Sequence, residues 1–334
     1  MANVRLSTIR GTGVAASCCA RLLGDAGFRV CLVENQRPRI PAILVSEAAQ
    51  KLLSDVFGRP GLFDGLFHID RRIVAWEPGS APVTLPHQAV MISEYALLER
   101  LRSAPGESTP ADLADWTVYT SRPLPSLVRQ HRFGSRMASI VPVDLTNSGP
   151  PACWIEAFED GWLFLIPTSP ASGWLVSIGS PHDVLLAESR LIADRIEVSG
   201  AAEAPFAASP AIIDPVGAPG WLACGAAALS FDPLCGDGTG NAVREAILAS
   251  AVIRAAAAGG TVDGLLSHYR ARLTAGFARH LELCRGFYIS GNRGAWWDRE
   301  IASLDEGIAW CGQARGAGGA FHYRLSGFEL QAVE

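Results

Sequence analysis

The period of the hydrophobic positions changes along the chain, and each change marks an element. From Val4 an apolar strand leads into Arg10-Gly11-Thr12-Gly13-Val14-Ala15-Ala16. A helical pattern follows, and then a second apolar run, Gly27-Phe28-Arg29-Val30-Cys31-Leu32-Val33-Glu34. Residues 1–34 therefore predict a strand–helix–strand unit. Ala42 to Gly58 reads as a helix, with Ala48, Leu52, Leu53 and Val56 on one face. Segments 70–91 and 129–180 switch to a period of two. Examples are Ile140-Val141-Pro142-Val143, Trp154-Ile155-Glu156-Ala157 and Trp174-Leu175-Val176-Ser177-Ile178, and they predict antiparallel strands. Leu97 to Arg102 is expected on a helix, Pro105 to Pro110 in a surface loop, and 181–199 and 262–312 on helices. Trp221-Leu222-Ala223 reads as a short strand. A proline- and glycine-rich loop follows, then an alanine-rich helix from Asn241 to Arg254. Phe321-His322-Tyr323-Arg324-Leu325 is a last candidate strand, and no internal repeat is present.

Composition narrows the class. The chain has 334 residues, 49% hydrophobic and 18% charged, enough for one large α/β domain with a smaller second lobe. Disorder is excluded by that balance. The net charge of −5, with no basic run and no interleaving of basic and aromatic residues, argues against a nucleic-acid partner. The first strand begins too early to leave room for a signal peptide. The longest apolar stretch, Ala246 to Ala258, is interrupted by Arg254 and too short for a transmembrane segment. A cytoplasmic protein is expected. Of the eight cysteines none forms a C-x-x-C pair or has a histidine at zinc spacing, so no metal is expected and the thiols read as packing residues. Cys235 lies in the late glycine loop, where a small packing residue is also the expectation.

The first turn carries chemistry. Gly11 permits a tight turn, Gly13 lets backbone approach a pyrophosphate, and Ala16 lets the helix sit close to the sheet. The N–H groups of Val14 and Ala15 open the helix with the positive end of its dipole. Glu34, at the end of the second strand, is placed for the ribose hydroxyls, with Asn35 beside it. The turn alone does not distinguish FAD from NAD. The second glycine-rich loop, Asp232-Pro233-Leu234-Cys235-Gly236-Asp237-Gly238-Thr239-Gly240-Asn241, also opens a helix. Stripped of side chains, it lets a flat ring approach the backbone, and its N–H groups favour negative charge on that ring's edge.

The pairing of a G-x-G-x-x-A turn with a late D-P-L-x-G-x-G element resembles the FAD-dependent monooxygenase superfamily. The nearest branches are the tryptophan-halogenase-like and geranylgeranyl-reductase-like ones, including flavoproteins that mature quinone-cofactor enzymes. Asp232, Pro233, Leu234, Gly236, Gly238 and Gly240 carry the late match. Gly161-Trp162-Leu163-Phe164-Leu165-Ile166-Pro167 resembles the strand that lines the flavin ring in that family. Tyr288 through Trp296-Trp297-Asp298-Arg299 resembles its aromatic-rich late helix. The resemblance implies FAD. Its pattern is broken at three points: Ala226 stands where an aspartate is usual, Glu94 where an arginine is expected, and Ala111 to Val118 occupies the place of the mid-chain Asp-Gly motif without it. Leu163 and Phe164 replace the tryptophans of true halogenases.

These readings define the expected protein. It is an α/β protein with a doubly wound, Rossmann-like FAD-binding lobe from residues 1–100 and 200–260. Residues 101–199 form a mixed or antiparallel β-sheet substrate lobe, and 261–334 a C-terminal helical segment. Gly11, Gly13, Val14, Ala15, Ala16, Glu34, Asn35, Asp232, Pro233, Gly236, Asp237, Gly238, Thr239, Gly240 and Asn241 are the cofactor-binding candidates. Glu47 is the candidate catalytic residue, as an acid, a base or a ring contact; an ordinary first-turn helix carboxylate is its structural alternative. Trp296 and Trp297 line an aromatic cavity or pack the core. The expected reaction is oxygenation of an electron-rich aromatic, an indole or tryptophan, free or carried by a partner protein. An external flavin reductase or NAD(P)H would supply electrons. Alkene reduction, or an accessory role without catalysis, are the alternatives.

Overall fold

A computed structural model describes residues 5–102, 114–146, 149, 151–235, 237–316 and 323–333. Seven helices are described: α1 (Val14–Asp25), α2 (Glu47–Phe57), α3 (Glu94–Leu101), α4 (His182–Glu188), α5 (Gly238–Ala257), α6 (Val262–Ser290) and α7 (Ala295–Gly316).

The expected α/β fold is observed. A five-stranded sheet runs in the order Gly217–Ala218, Trp221–Ala223, Trp116–Tyr119, Leu6–Arg10, Arg29–Val33. The last four strands are parallel. Ile9, Val118 and Leu222 on its inner strands are fully buried, as residues sandwiched between helical layers must be. The outer strand, Arg29–Val33, is an edge and leaves Leu32 52% exposed. On the face occupied by α1, α5 lies between α1, α2 and α6. α5 buries residues on most of its sides, from Val243 through Ile253, which is why its sequence is small and apolar nearly all round.

The second sheet has nine strands. Its order is Ile196–Val198, Met137–Leu145, Ser172–Gly179, Gly161–Pro167, Ala152–Phe158, Phe67–Ala75, Val83–Ile92, Ile43–Ser46, with Phe206–Ala207 also on Met137–Leu145. Every pairing is antiparallel except that of Phe67–Ala75 with Ala152–Phe158. Gly161–Pro167 is buried along its whole length. Trp162, Phe164 and Ile166 join the main core. Leu163 and Leu165 join a smaller cluster with Leu185 of α4. Burial on both faces explains its unbroken apolar run. Phe67–Ala75 and Val83–Ile92, from within residues 1–100, lie in this sheet, while Trp116–Tyr119, from within 101–199, lies in the parallel one.

Three expected elements differ in extent. The helix expected from Ala42 begins only at Glu47, because Ile43–Ser46 pairs with Val83–Ile92 as an edge strand. The helix expected over 181–199 ends at Glu188. Beyond it the buried carboxylate of Glu156 accepts the backbone N–H groups of Arg190, Leu191 and Ile192, which takes the donors a continuing helix would need. α5 starts at Gly238, three residues ahead of the expected Asn241. The strand expected at 321–325 is Tyr323–Ser326, which pairs with a further strand, Glu329–Ala332, that was not expected; Phe321, His322 and the loop from Pro105 to Pro110 lie outside the described residues. Among the described residues no helix is long and apolar enough to cross a membrane.

Candidate functional site

Gly11 and Gly13 have φ of 125° and 104°, where a side chain is strained. A Cβ at Gly11 would stand 2.4 Å from Thr120 Oγ1. Gly13 is the N-cap of α1, and no side chain caps that helix. Its first N–H groups, including those of Val14 and Ala15, are therefore without intrahelical acceptors. Ala15 and Ala16 are buried. The late loop meets α1 here: Gly225 has φ of 60°, and a Cβ on it would lie 2.8 Å from Ala15 Cβ. Small residues on both sides let the loop and the helix touch.

A cleft of about 1110 Å³ opens over this turn, walled by α1, the strand Arg29–Val33 and α3. Glu34 and Asn35 line it just past the strand's end, and Leu98 gives it an apolar patch. Asn35 Nδ2 donates to Arg122 O (2.7 Å) and Ser121 Oγ (3.2 Å), so its amide braces the neighbouring loop. Arg21, Arg29, Arg37, Arg39 and Arg102 line the cleft together with Asp25, Glu34, Glu94 and Glu99.

Directly over Gly13 sits an ion pair. Arg37 Nη1 donates to Glu94 Oε2 at 3.0 Å, and Nη2 donates to Glu94 Oε1. Glu94, the first residue of α3, is buried and also accepts the Ile40 N–H at 2.9 Å. The sequence marks Glu94 as the replacement of an expected arginine. It does not single out Arg37, whose only local signal is its place three residues past the ribose carboxylate candidate Glu34.

The second glycine loop joins α2 to α5. Ser46 caps α2 by accepting the Ala49 N–H, and its Oγ donates to Asp237 Oδ1 at 3.2 Å. Glu47, exposed in the first turn of α2, is the next residue after that contact with the N-cap of α5. Asp237 also pairs with Arg244 at 2.7 Å, and Asn241 Oδ1 accepts from the same guanidinium at 3.1 Å. Gly238 faces open space: a Cβ there would meet nothing within 4 Å. At Gly240 a Cβ would meet the Asp237 carboxylate at 2.3 Å. Pro233 and Thr239 are half-buried, and Gly236 lies outside the described residues. Neither Glu47 nor the 232–241 loop lines the cleft over Gly13.

Asp232 turns inward. Its Oδ1 accepts Leu234 N–H (2.8 Å), and its Oδ2 accepts Tyr288 Oη–H (2.9 Å) and pairs with Arg136 Nη1 (3.1 Å). Arg136 also faces Glu300 at 3.3 Å. Burial opposes the charge of Arg136, but Tyr288, Asp232 and Glu300 around it hold the guanidinium charged, above its ordinary range. Trp162 Nε1 donates to Tyr288 Oη, and Trp297 Nε1 to Phe158 O. Trp296 and Trp297 are both buried, with ring centroids 5.0 Å apart, and pack against Tyr288. Of the two readings open for them, packing is what the structure displays.

A second buried carboxylate lies behind the late loop. Glu245 Oε2 accepts the Gly225 N–H at 2.7 Å. Burial pushes Glu245 up to about 8. Nearby, Cys19 and Cys224 approach to 3.8 Å between sulfurs, both reduced. Among the described residues no three His, Cys, Asp or Glu side chains form a group able to hold a metal.

No family model matches the chain, and no curated protein matches it. Solved structures do, at the level of fold. The halogenase CmlS, described as flavin-dependent, superposes with a TM-score of 0.76 at 15% identity, over 95% of this chain and 72% of that one. The peptidyl tryptophan dihydroxylase QhpG, essential for tryptophylquinone cofactor biogenesis, gives 0.68 at 19% identity, over 89% and 79%. The myxobacterial chondrochloren halogenase CndH, a variant of FAD-dependent halogenases, gives 0.71 at 15% identity, over 94% and 90%. The chain thus has the fold of these flavin-dependent halogenases and of QhpG, the likeness expected from its two glycine-rich elements. QhpG, a peptidyl tryptophan dihydroxylase, is among the proteins that share it.

Proposed function

We propose that the chain is an FAD-dependent monooxygenase acting on an electron-rich aromatic group of the indole type, free or carried by a partner protein. One observation carries the reading. An uncapped helix N-terminus, reached through two glycines with positive φ, opens into a cleft of dinucleotide size. The fold it shares with QhpG and the flavin-dependent halogenases supports flavin over nicotinamide, and the likeness to QhpG, a peptidyl tryptophan dihydroxylase, supports a protein-bound tryptophan as one substrate.

The residues present fit the adenosine diphosphate half of FAD. Gly11, Gly13, Val14, Ala15 and Ala16 would hold the diphosphate, and Glu34 and Asn35 the ribose. Pro233, Gly236, Asp237, Gly238, Thr239, Gly240 and Asn241 would border the flavin ring, with Asp232 bracing their loop from inside. Bound and reduced, FAD supplies the electrons that activate dioxygen. An external flavin reductase or NAD(P)H would reduce it. Glu47, one residue past the Ser46 contact with the N-cap of α5, would hold or move a proton at the edge of the ring site. The protein's share of catalysis is to position the aromatic substrate and keep water away from it.

The test uses the purified protein. FAD should bind by calorimetry and give a yellow flavin spectrum. With a flavin reductase, the complex should then consume oxygen faster when indole or a tryptophan-containing peptide is added. Failure to bind FAD sinks the reading. Ala226 and Glu94 favour a second one, an accessory protein that keeps the fold without turnover; FAD binding with no oxygen uptake would select it.

A further inference from the structure

We infer that Arg37 is the cation that receives the diphosphate of a nucleotide entering the cleft, and that Glu94 holds it half-neutralised, so that the cofactor exchanges with solution instead of being retained. The inference rests on the cleft being a dinucleotide site.

Position is the first ground. The fingerprint keeps its second glycine bare so that phosphate can approach the backbone. A Cβ at Gly13 would lie 2.9 Å from Arg37 Nη2 and 3.3 Å from Glu94 Oε1. The two charged groups stand over the place where a diphosphate would meet α1.

The donor inventory is the second. A guanidinium has five N–H donors. Arg37 directs two at Glu94 and one, from Nη1, at Pro38 O (3.0 Å). Two donors are left for an anion. The Arg37 side chain is 32% exposed and that of Glu94 only 4%. Glu94 is anchored further by the Ile40 N–H and by its place in the first turn of α3, which Ser93 caps. Glu94 is therefore the fixed partner and Arg37 the one able to turn.

Electrostatics is the third. A bare arginine here would add its full charge to the positive end of α1 and grip a diphosphate strongly. Paired with Glu94, the site presents little net charge, and the incoming phosphates and Glu94 compete for one guanidinium. Strong retention would need the carboxylate removed.

The inference is tested by titrating ADP and adenosine into the wild type, Arg37→Ala and Glu94→Gln, with circular dichroism as a fold control. Arg37→Ala should weaken ADP at least about tenfold, the loss expected for a charge-assisted hydrogen bond, and leave adenosine within about twofold, because adenosine lacks the phosphates. Glu94→Gln should tighten ADP and slow the loss of FAD on gel filtration. Arg37→Ala leaves Glu94 buried without its cation and facing the phosphates, so Arg37→Met/Glu94→Gln, which removes both charges, repeats the test in a balanced background and should bind ADP more weakly than the wild type, though less weakly than Arg37→Ala. Unchanged ADP affinity in Arg37→Ala and the double variant overturns the inference, as does weaker ADP binding in Glu94→Gln. If ADP, adenosine and FAD bind none of the proteins, the dinucleotide reading of the cleft falls with it.

Discussion

Ala226 is exposed next to Gly225, where the late loop touches the first turn of α1, and it stands where the resemblance expects an aspartate. Ala226→Asp should lower the dissociation constant for FAD about fivefold, the worth of one added hydrogen bond near 1 kcal/mol. Quenching of flavin fluorescence measures it, and an unchanged constant would remove position 226 from the site. Glu245 gives a prediction in pH. Its folded carboxyl titrates near 8 against 4.5 for the free group. Between those values the folded state keeps a proton that the unfolded chain releases, so the contribution is complete below pH 4.5 and is lost as pH rises through 8. Glu245→Gln, which keeps an acceptor for the Gly225 N–H, should flatten the fall of Tm between about pH 5 and 8 and raise Tm at pH 8. At this scale the glycine turn was legible, because a positive φ and close contacts restrict the residue type locally. Arg37 and Glu94 were not legible as a pair, because they are 57 positions apart and Arg37 sits in a stretch without any period.

Among elements, the loop before α5 and the helices behind it are tied by one buried charge network. Asp232, Arg136 and Glu300 belong to that loop, the nine-stranded sheet's approach and α7, and Tyr288 of α6 joins them. Asp232→Ala leaves Arg136 short of a counter-charge, and should cost about 3–5 kcal/mol of unfolding free energy in denaturant titrations. Any loss of FAD in that variant would follow from the loosened loop. Glu47→Ala should behave in the opposite way. The side chain is exposed, so stability should stay within about 0.5 kcal/mol while oxygen-coupled turnover falls and FAD content holds. Full turnover in Glu47→Ala would make it an ordinary helix carboxylate. Elements of long, regular pattern were readable: α1, α6 and the paired strands of 129–180. The misread ones are those whose fate is decided by distant partners. Ile43–Ser46 is an extension of the α2 pattern until Val83–Ile92 claims it. The segment after Glu188 is helical in pattern until Glu156 takes its N–H groups. α5 looked short because Gly238 and Gly240 read as loop.

For the whole molecule, the paired charges over Gly13 and the missing anchor at Ala226 predict a protein that is pale as isolated and turns yellow when FAD is added, with the flavin lost again on desalting. Tight retention through gel filtration, seen in the absorbance ratio of flavin to protein, would contradict this. The fold class was legible because strand, helix and strand follow one another from the first residues. The order of the sheets was not, since Leu6–Arg10 pairs with Trp116–Tyr119 and Phe67–Ala75 with Ala152–Phe158 across long separations. That wiring has a consequence for synthesis. The buried side of α1, with Cys18, Cys19, Leu22 and Leu23, is covered by α5: Cys19 Sγ lies 3.8 Å from the Ala246 carbonyl. On the ribosome the first helix therefore emerges long before the segment that shelters it. The nascent chain carries its apolar face bare until residue 257 has cleared the exit tunnel. Translation pauses or truncations ahead of Gly238 should give a product that is captured by chaperones or aggregates, and a stalled chain released just beyond α5 should be the shortest one whose α1 resists protease.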